Sequence, residues 1–184
     1  MECYQEIRVL ADPEFKEETL MAALFAKLHR ALGAYGQGDI GISFPEYAQK
    51  PGSVIRLHGS QMALSMLEAN RWRAGLNDYC TATAILTTPE ITGWRTVSRV
   101  QVKSSVARLV RRSLRKGWIT EEQAQQRMTN VKDRQCNLPF LQLKSLSTGQ
   151  SFRLFIRHSD LHATPTQGVF SSYGLSDTAT VPWF

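Results

Sequence analysis

Apolar residues in the first half of the chain follow two different spacings. Alternation in residues 3–10 predicts a strand. In residues 15–35 apolar side chains recur every three or four positions, which predicts a helix, and Gly33 and Gly36 are placed to end it. Further elements are strands at 40–44, 54–58 and 81–86, and a second helix that Ser60 caps before the last of these strands.

This order, strand-helix-strand-strand-helix-strand, is the ferredoxin-like arrangement, which many RNA-binding modules use. In the second half, the patterns predict helices at 105–116 and 121–134, a hairpin of strands at 140–145 and 152–157, and a last strand at 169–173. We therefore predict an α+β protein. A ferredoxin-like domain would occupy residues 1–93, and a smaller α+β region would occupy residues 94–184.

Positive charge is concentrated in residues 91–120. This stretch has no acidic residue, whereas the whole chain has 22 Lys and Arg against 16 Asp and Glu. Its eight basic residues are Arg95, Arg99, Lys103, Arg108, Arg111, Arg112, Arg115 and Lys116. Outside it, 14 basic residues face 16 acidic ones, so the excess of positive charge is local.

The predicted helix at 105–116 carries four of these arginines on one side. At 3.6 residues per turn, Arg108, Arg111, Arg112 and Arg115 fall within an arc of roughly 100°, and apolar residues such as Val110 take the other side. Four guanidinium groups over about 10 Å of helix match a row of phosphates. A solvated helix usually interleaves acidic partners, which this face lacks. Nucleic acid is the favoured ligand, and an acidic protein or a membrane surface stays open.

Cysteine usage and the N-terminal composition indicate an intracellular protein. Cys3, Cys80 and Cys136 are odd in number, far apart and free of any C-x-x-C pair, which predicts reduced thiols. Six acidic residues within the first thirty positions, all between residues 2 and 18, are incompatible with a secretory signal. No apolar run reaches the ~18 residues of a membrane span. We expect a cytoplasmic protein that has no membrane partner.

Each of the four histidines is a candidate for ribonuclease chemistry, because imidazole exchanges protons near neutral pH. His29 lies at the border of the helix's apolar face, near its carboxyl end, and either acts as an acid or base or merely packs. His58 ends a strand and is equally well explained as structural. His158 and His162 have the spacing of a metal pair but lack an evident third ligand. Without a Walker loop, nucleophile elbow or paired acidic cluster, we expect no cofactor.

Six segments, in one order over nearly the whole chain, resemble a single family. They are FAKLH at 25–29, VSRVQ at 97–101, SLSTGQ at 145–150, FRLFIRH at 152–158, YGLS at 173–176 and VPWF at 181–184. Together they resemble the subtype I-F CRISPR repeat-processing endoribonucleases, which cut precursor CRISPR RNA at the base of each repeat hairpin. The resemblance implies a metal-independent cleavage that leaves a 2′,3′-cyclic phosphate. It also implies that the protein stays on its product and joins the other subunits of the type I-F surveillance complex.

The resemblance further implies roles for individual residues. His29 matches the histidine that takes the 2′-hydroxyl proton, Ser145 the serine that holds the ribose, and Tyr173 the tyrosine that orients the histidine. The implied RNA contacts are Arg99 and Gln101 on purine edges, Phe152 stacked on the terminal base pair, Ser147 and Thr148 near the cleaved phosphate, and the arginine-rich helix along the major groove of the hairpin.

Two positions depart from the family pattern within the basic stretch. Lys116 stands where an arginine is common, so it keeps the charge and loses the fork, and Gly117 stands where a basic residue can occur. Lys103 adds to the same basic surface. Two alternatives stay open on the sequence alone: a hairpin-binding subunit in which His29 only packs, and a DNA-binding regulator that uses the arginine-rich helix.

Overall fold

A computed structural model of the chain describes residues 1–101, 106–129, 136–145 and 147–184. Within these residues the protein is an α+β structure, as predicted. Its elements are β1 (Cys3–Val9), α1 (Glu17–Tyr35), β2 (Gly41–Ser43), β3 (Val54–Gly59), α2 (Gln61–Ala69), β4 (Cys80–Ala82), β5 (Leu86–Thr87), β6 (Gly93–Val100), α3 (Val106–Arg115), α4 (Glu121–Thr129), β7 (Phe140–Lys144), β8 (Ser151–His158) and β9 (Thr180–Trp183).

The first sheet has the strand order β2-β3-β1-β4, with all pairs antiparallel, and β5 also pairs with β1. The order β1-α1-β2-β3-α2-β4 is the order predicted from the sequence. Where one strand was predicted at 81–86, β4 and β5 are separate. Ala82 pairs with Ile7 and Leu86 with Tyr4, so the outer strand has one residue more than β1 between these pairs. A bulge of this kind interrupts pairing and explains the break.

The second sheet has the order β7-β8-β6-β9, and its last strand was predicted in the wrong place. Residues 169–173 form no strand, because the chain turns there: the Gly174 N–H donates to the Ser171 carbonyl at 2.8 Å, and the Ser171 N–H donates to the Leu175 carbonyl at 2.9 Å. The strand is instead β9, which contains Pro182. Proline is tolerated there because β9 is an edge strand that pairs with β6 alone.

Helix α1 packs its apolar face into the core and so fixes where its polar edge points. Leu24, Phe25 and Leu28 are fully buried, in one core that draws on both sheets. The helix continues through Gly33, which was wrongly predicted to help end it, and ends at Gly36, whose N–H donates to the Leu32 carbonyl at 3.0 Å. A Cβ at Gly36 would lie 2.6 Å from that carbonyl oxygen, so glycine is required at this position.

Two compact units are defined by contacts within the chain. One comprises Met1–Val100 with Leu138–Phe184, and the other comprises Gln101–Asn137. The domain boundary at residue 93, where β6 begins, stays a prediction. In the described part of the chain, no helix combines the length and the apolar character that crossing a membrane requires.

The unit Gln101–Asn137 contains α3 and α4, and hydrogen bonds cap the carboxyl end of α3 and the amino end of α4. Gly117, with φ 68°, donates to the Leu114 carbonyl, and Trp118 donates to the Ser113 carbonyl, each at 2.9 Å. This pair of bonds is a Schellman motif. At the start of α4, Thr120 and Gln123 exchange hydrogen bonds of 3.2 and 3.3 Å, which confirms the predicted capping box.

Candidate active site

His29 lies on α1, half-buried, one turn after the fully buried Phe25. Its Nδ1 atom is 3.0 Å from the backbone carbonyl oxygen of Ser172. Because a carbonyl can only accept, Nδ1 carries a proton, and in the neutral ring Nε2 keeps a lone pair. The imidazole therefore has one nitrogen fixed to the protein and one available to accept a proton.

The ring of Tyr173 covers one face of this imidazole. The two ring centres are 3.8 Å apart and the planes differ by 4°. Phe25, four residues before His29 on the same line of the helix, stacks on Tyr173 with ring centres 6.0 Å apart. Tyr173 thus lies against two successive turns of α1, which restricts rotation of the imidazole.

A tight turn brings Tyr173 to α1. Gly174 has φ 68°, and a Cβ added there would lie 2.6 Å from Cγ2 of Ile42. The Ile42 N–H donates to the Gly174 carbonyl at 2.9 Å, which ties the turn to β2. The placement of Tyr173 therefore depends on Gly174, which lies 132 positions along the chain from Ile42, the residue that it contacts.

Ser145 follows β7 and closes the turn of the β7–β8 hairpin. Its N–H donates to the Gln150 carbonyl, and its own carbonyl accepts from Gly149. The Ser145 hydroxyl is 3.1 Å from the hydroxyl of Ser147, and it also accepts from the backbone N–H of Thr148 at 3.3 Å. The turn therefore collects the predicted hydroxyl residues in one place. Leu146 lies outside the described residues.

A single pocket of about 310 Å³ contains the three predicted catalytic residues. Its lining residues are Ala26, His29, Arg30, Leu143, Lys144, Ser145, Ser147, Phe152 and Tyr173. This volume lies at the lower end of the ~300–1,000 Å³ found for small-ligand sites. Residues distant in sequence, on α1, the β7–β8 hairpin and the Tyr173 turn, therefore meet at one site with an imidazole, a phenol and two hydroxyls.

Arg99 borders this pocket from β6. Its guanidinium carbon is 5.8 Å from the ring centre of Phe152 and 5.7 Å from that of Tyr173. The side chain is exposed, so its donors are available to a ligand. Gln101 is also exposed, but β6 ends at Val100 and Gln101 begins the other unit.

On α3, Arg111, Arg112 and Arg115 are exposed, as is Lys116 directly after the helix, while Val110 is 3% exposed. The described part of the chain contains no ion pair that involves any of these basic residues. The side chain of Arg108 and the whole of Lys103 lie outside the described residues. In the part that is described, the cationic face therefore has no acidic partner.

Arg30 and Lys144 also line the pocket, and the sequence analysis missed both. Each is exposed, and among the described residues neither forms an ion pair. The signal that could have found them is adjacency, because each basic side chain stands directly beside a candidate residue, His29 or Ser145. Two positive charges at the pocket wall favour an anionic ligand.

The other three histidines do not line this pocket, and two of them, His58 and His158, are packed inside the fold. His58 is fully buried, with Nε2 2.8 Å from the Ser43 hydroxyl, and burial lowers its pKa. His158 stacks on Tyr47 at 4.2 Å, and its pKa is lowered to about 4, first by burial and second by the charge of Arg95. Among the described residues, no three His, Cys, Asp or Glu side chains are grouped so that they could hold a metal ion.

Comparison with known proteins gives a consistent result along the whole chain. A family model described as "CRISPR-associated protein (Cas_Csy4)" matches residues 4–184. A protein of Escherichia coli strain UTI89, named CRISPR-associated endonuclease Cas6/Csy4, is 62% identical over 184 residues, with all of both chains covered. A Pseudomonas aeruginosa protein from strain UCBPP-PA14, with the same name, is 45% identical over 187 residues, again with both chains fully covered.

Proposed function

Since the chain belongs to the Cas_Csy4 family of CRISPR-associated proteins, we propose that it is a metal-independent endoribonuclease that cuts precursor CRISPR RNA at the base of the repeat hairpin. The observation that carries this proposal is the shared pocket of His29, Ser145 and Tyr173. The product ends in a 2′,3′-cyclic phosphate, and the protein stays bound to it. It acts in the cytoplasm with the other subunits of a type I-F surveillance complex.

In the first step Nε2 of His29 takes the proton of a ribose 2′-hydroxyl. The 2′-oxygen then attacks the adjacent phosphorus, and the bond to the 5′-oxygen of the next nucleotide breaks. That leaving oxygen takes a proton either from the same imidazolium or from water. The bond from Nδ1 to the Ser172 carbonyl supports this role, because it leaves Nε2 free in the neutral ring. The nucleophile belongs to the RNA itself, so the step uses no metal-bound water.

Hydroxyl and cationic side chains position the reacting groups around this imidazole. Ser145 holds the ribose, and Ser147 and Thr148 contact the phosphate that is cut. The two serine hydroxyls are 3.1 Å apart on a turn fixed by backbone bonds, so they form a preorganised pair. Arg30 and Lys144, which were not predicted, stabilise the negative charge that develops on the phosphate.

Recognition of the hairpin uses a second set of residues. Phe152 stacks on the last base pair of the stem, and Arg99 and Gln101 bond to purine edges near it. The proximity of Arg99 to the Phe152 ring supports this pairing of roles. Phosphates along the stem are bound by Lys103, Arg108, Arg111, Arg112, Arg115 and Lys116.

Incubation of the protein with its repeat hairpin in excess chelator tests this proposal. We expect cutting at the base of the stem, and we expect His29→Ala to bind the hairpin without cutting it. Bound but uncut RNA with the unaltered protein would assign a non-catalytic RNA-binding subunit. A preference for duplex DNA of the same sequence would assign a DNA-binding regulator.

A further inference from the structure

Trp118 is an exposed tryptophan directly after the arginine-rich helix. Its side chain is 67% exposed, whereas Trp72 is 7% exposed and both Trp94 and Trp183 are half-buried. Burial of an indole contributes strongly to core stability, and Trp118 forgoes most of that contribution. Trp118 is therefore the most exposed of the four tryptophans, and its ring is available to a ligand.

The Schellman motif that ends α3 fixes the backbone of Trp118 and leaves its ring uncovered. In this motif, the residue after the left-handed glycine commonly packs on apolar side chains in the last turn but one of the helix. Those positions are Ser113 and Arg112, which are polar. The Trp118 N–H is nevertheless held by the Ser113 carbonyl at 2.9 Å. The result is a largely exposed indole on an ordered backbone.

The surroundings of the indole are cationic. Nζ of Lys116 lies 4.6 Å from the ring centre, and Arg115 ends the helix. The nearest acidic residues in sequence, Glu121 and Glu122, lie in the first turn of α4, where they offset the positive end of that helix. An exposed aromatic ring beside unpaired cations is the combination on which proteins stack the bases of single-stranded nucleic acid.

We propose that Trp118 stacks on an unpaired base in the loop of the repeat hairpin. This inference rests on the proposed function and extends it from the stem to the loop. Bases inside an A-form stem are stacked on their neighbours on both faces, so only their edges, which are assigned to Arg99 and Gln101, stay open and no face is left for an indole. The lower end of the stem is assigned to Phe152. Among the bases of the hairpin, those of the loop are the ones left with a free face.

Equilibrium binding of an uncleavable hairpin tests this contact. The RNA carries a single 2′-deoxynucleotide before the cut, so that affinity is measured without cleavage. We expect Trp118→Ala to weaken binding by about 5- to 150-fold, which corresponds to the ~1–3 kcal/mol of one stacked base. Trp118→Phe keeps an aromatic face and should retain most of the affinity. Met62→Ala, which shortens a 71% exposed apolar side chain on α2, is the matched control and should bind normally.

A second set of RNAs, in which each loop nucleotide in turn is made abasic, locates the base. At one loop position, removal of the base should lower the affinity of the unaltered protein by the same factor as Trp118→Ala does on the intact hairpin. Removal of the same base should not lower the affinity of the Trp118→Ala variant any further. The proposal is overturned if Trp118→Ala binds normally, including the case in which it weakens only assembly with other protein subunits. It is also overturned if Trp118→Ala binds every abasic hairpin more weakly than the unaltered protein does, by the same factor at every loop position. If the unaltered protein neither binds nor cuts the hairpin, the proposed function itself fails.

Discussion

Replacement of Tyr173 by leucine should slow RNA cleavage while it leaves RNA affinity almost unchanged. The leucine side chain removes the ring that lies 3.8 Å from the imidazole of His29 and leaves the Ser172 carbonyl as its described hydrogen-bond partner. An aromatic pair of this kind contributes about 0.5–1.5 kcal/mol, so its loss changes the equilibrium between the stacked and the displaced imidazole by roughly 2- to 13-fold. A displacement of about 1 Å can cost about 100-fold in rate. We therefore expect the rate to fall about 10- to 100-fold.

Tyr173→Phe separates the ring from its hydroxyl. Among the described residues the Tyr173 hydroxyl makes no hydrogen bond, and the ring contacts with Phe25, His29 and Arg99 all survive in phenylalanine. This variant should cut within about threefold of the normal rate. Tyr35→Leu, which alters an exposed tyrosine at the last position of α1, is the control and should have no effect.

Single-turnover cleavage with the protein in excess gives the rate of the chemical step apart from binding and product release. Thermal unfolding of each variant identifies any loss of rate that comes from unfolding. The stacking argument is refuted if Tyr173→Phe is as slow as Tyr173→Leu, because the hydroxyl would then be the functional group. Normal cleavage by Tyr173→Leu in a folded protein would refute it as well.

Three further outcomes follow from the charges of the molecule. The double variant Arg112→Ala with Arg115→Ala should weaken hairpin binding and reduce the slope of log K against log salt by about 0.7–0.9 for each phosphate that it no longer neutralises. The control Arg127→Ala on α4 should change neither quantity. Unchanged affinity and slope in the double variant would show that α3 does not face phosphates. Arg99→Ala should cost about 1–3 kcal/mol on the correct stem, and equal losses on scrambled stems would rule out contact with base edges. Burial lowers the pKa of His158 from 6.5 to about 4, so the unfolded chain binds the proton more readily than the folded one. The free energy of unfolding should therefore fall by roughly 3 kcal/mol as the pH drops from 6.5 towards 4. In urea unfolding, His158→Phe should show a weaker loss over this range, and an identical pH dependence would contradict the assignment.

Local sequence signals predicted elements whose residues are close in the chain. The spacing of Leu24 and Leu28 predicted α1, and Ser60 predicted the start of α2, where its hydroxyl accepts from Ala63. The strand at 169–173 was wrong because Phe170 is buried by a turn rather than by strand pairing. β9 was missed because Pro182 is acceptable only at the edge of a sheet, and the edge is not visible in the sequence.

The candidate site was predicted from the resemblance and not from spacing. His29 and Tyr173 are 144 positions apart, and no periodicity indicates that their rings stack. Arg30 and Lys144 were missed because a basic side chain on a surface is usually only solvated, and their shared pocket exists only after α1 meets β7. Roles for these residues stay proposals that the experiments above test.

The central claim is that the RNA supplies its own nucleophile to a single imidazole. The most direct test is cleavage of a repeat hairpin in which one 2′-hydroxyl, directly before the cut, is replaced by hydrogen. We predict that this RNA binds with normal affinity and is not cut, while the same replacement one nucleotide further away leaves the rate nearly unchanged. Cleavage of the substituted RNA at the normal rate would show that the attacking oxygen comes from elsewhere, and would contradict the role proposed for His29.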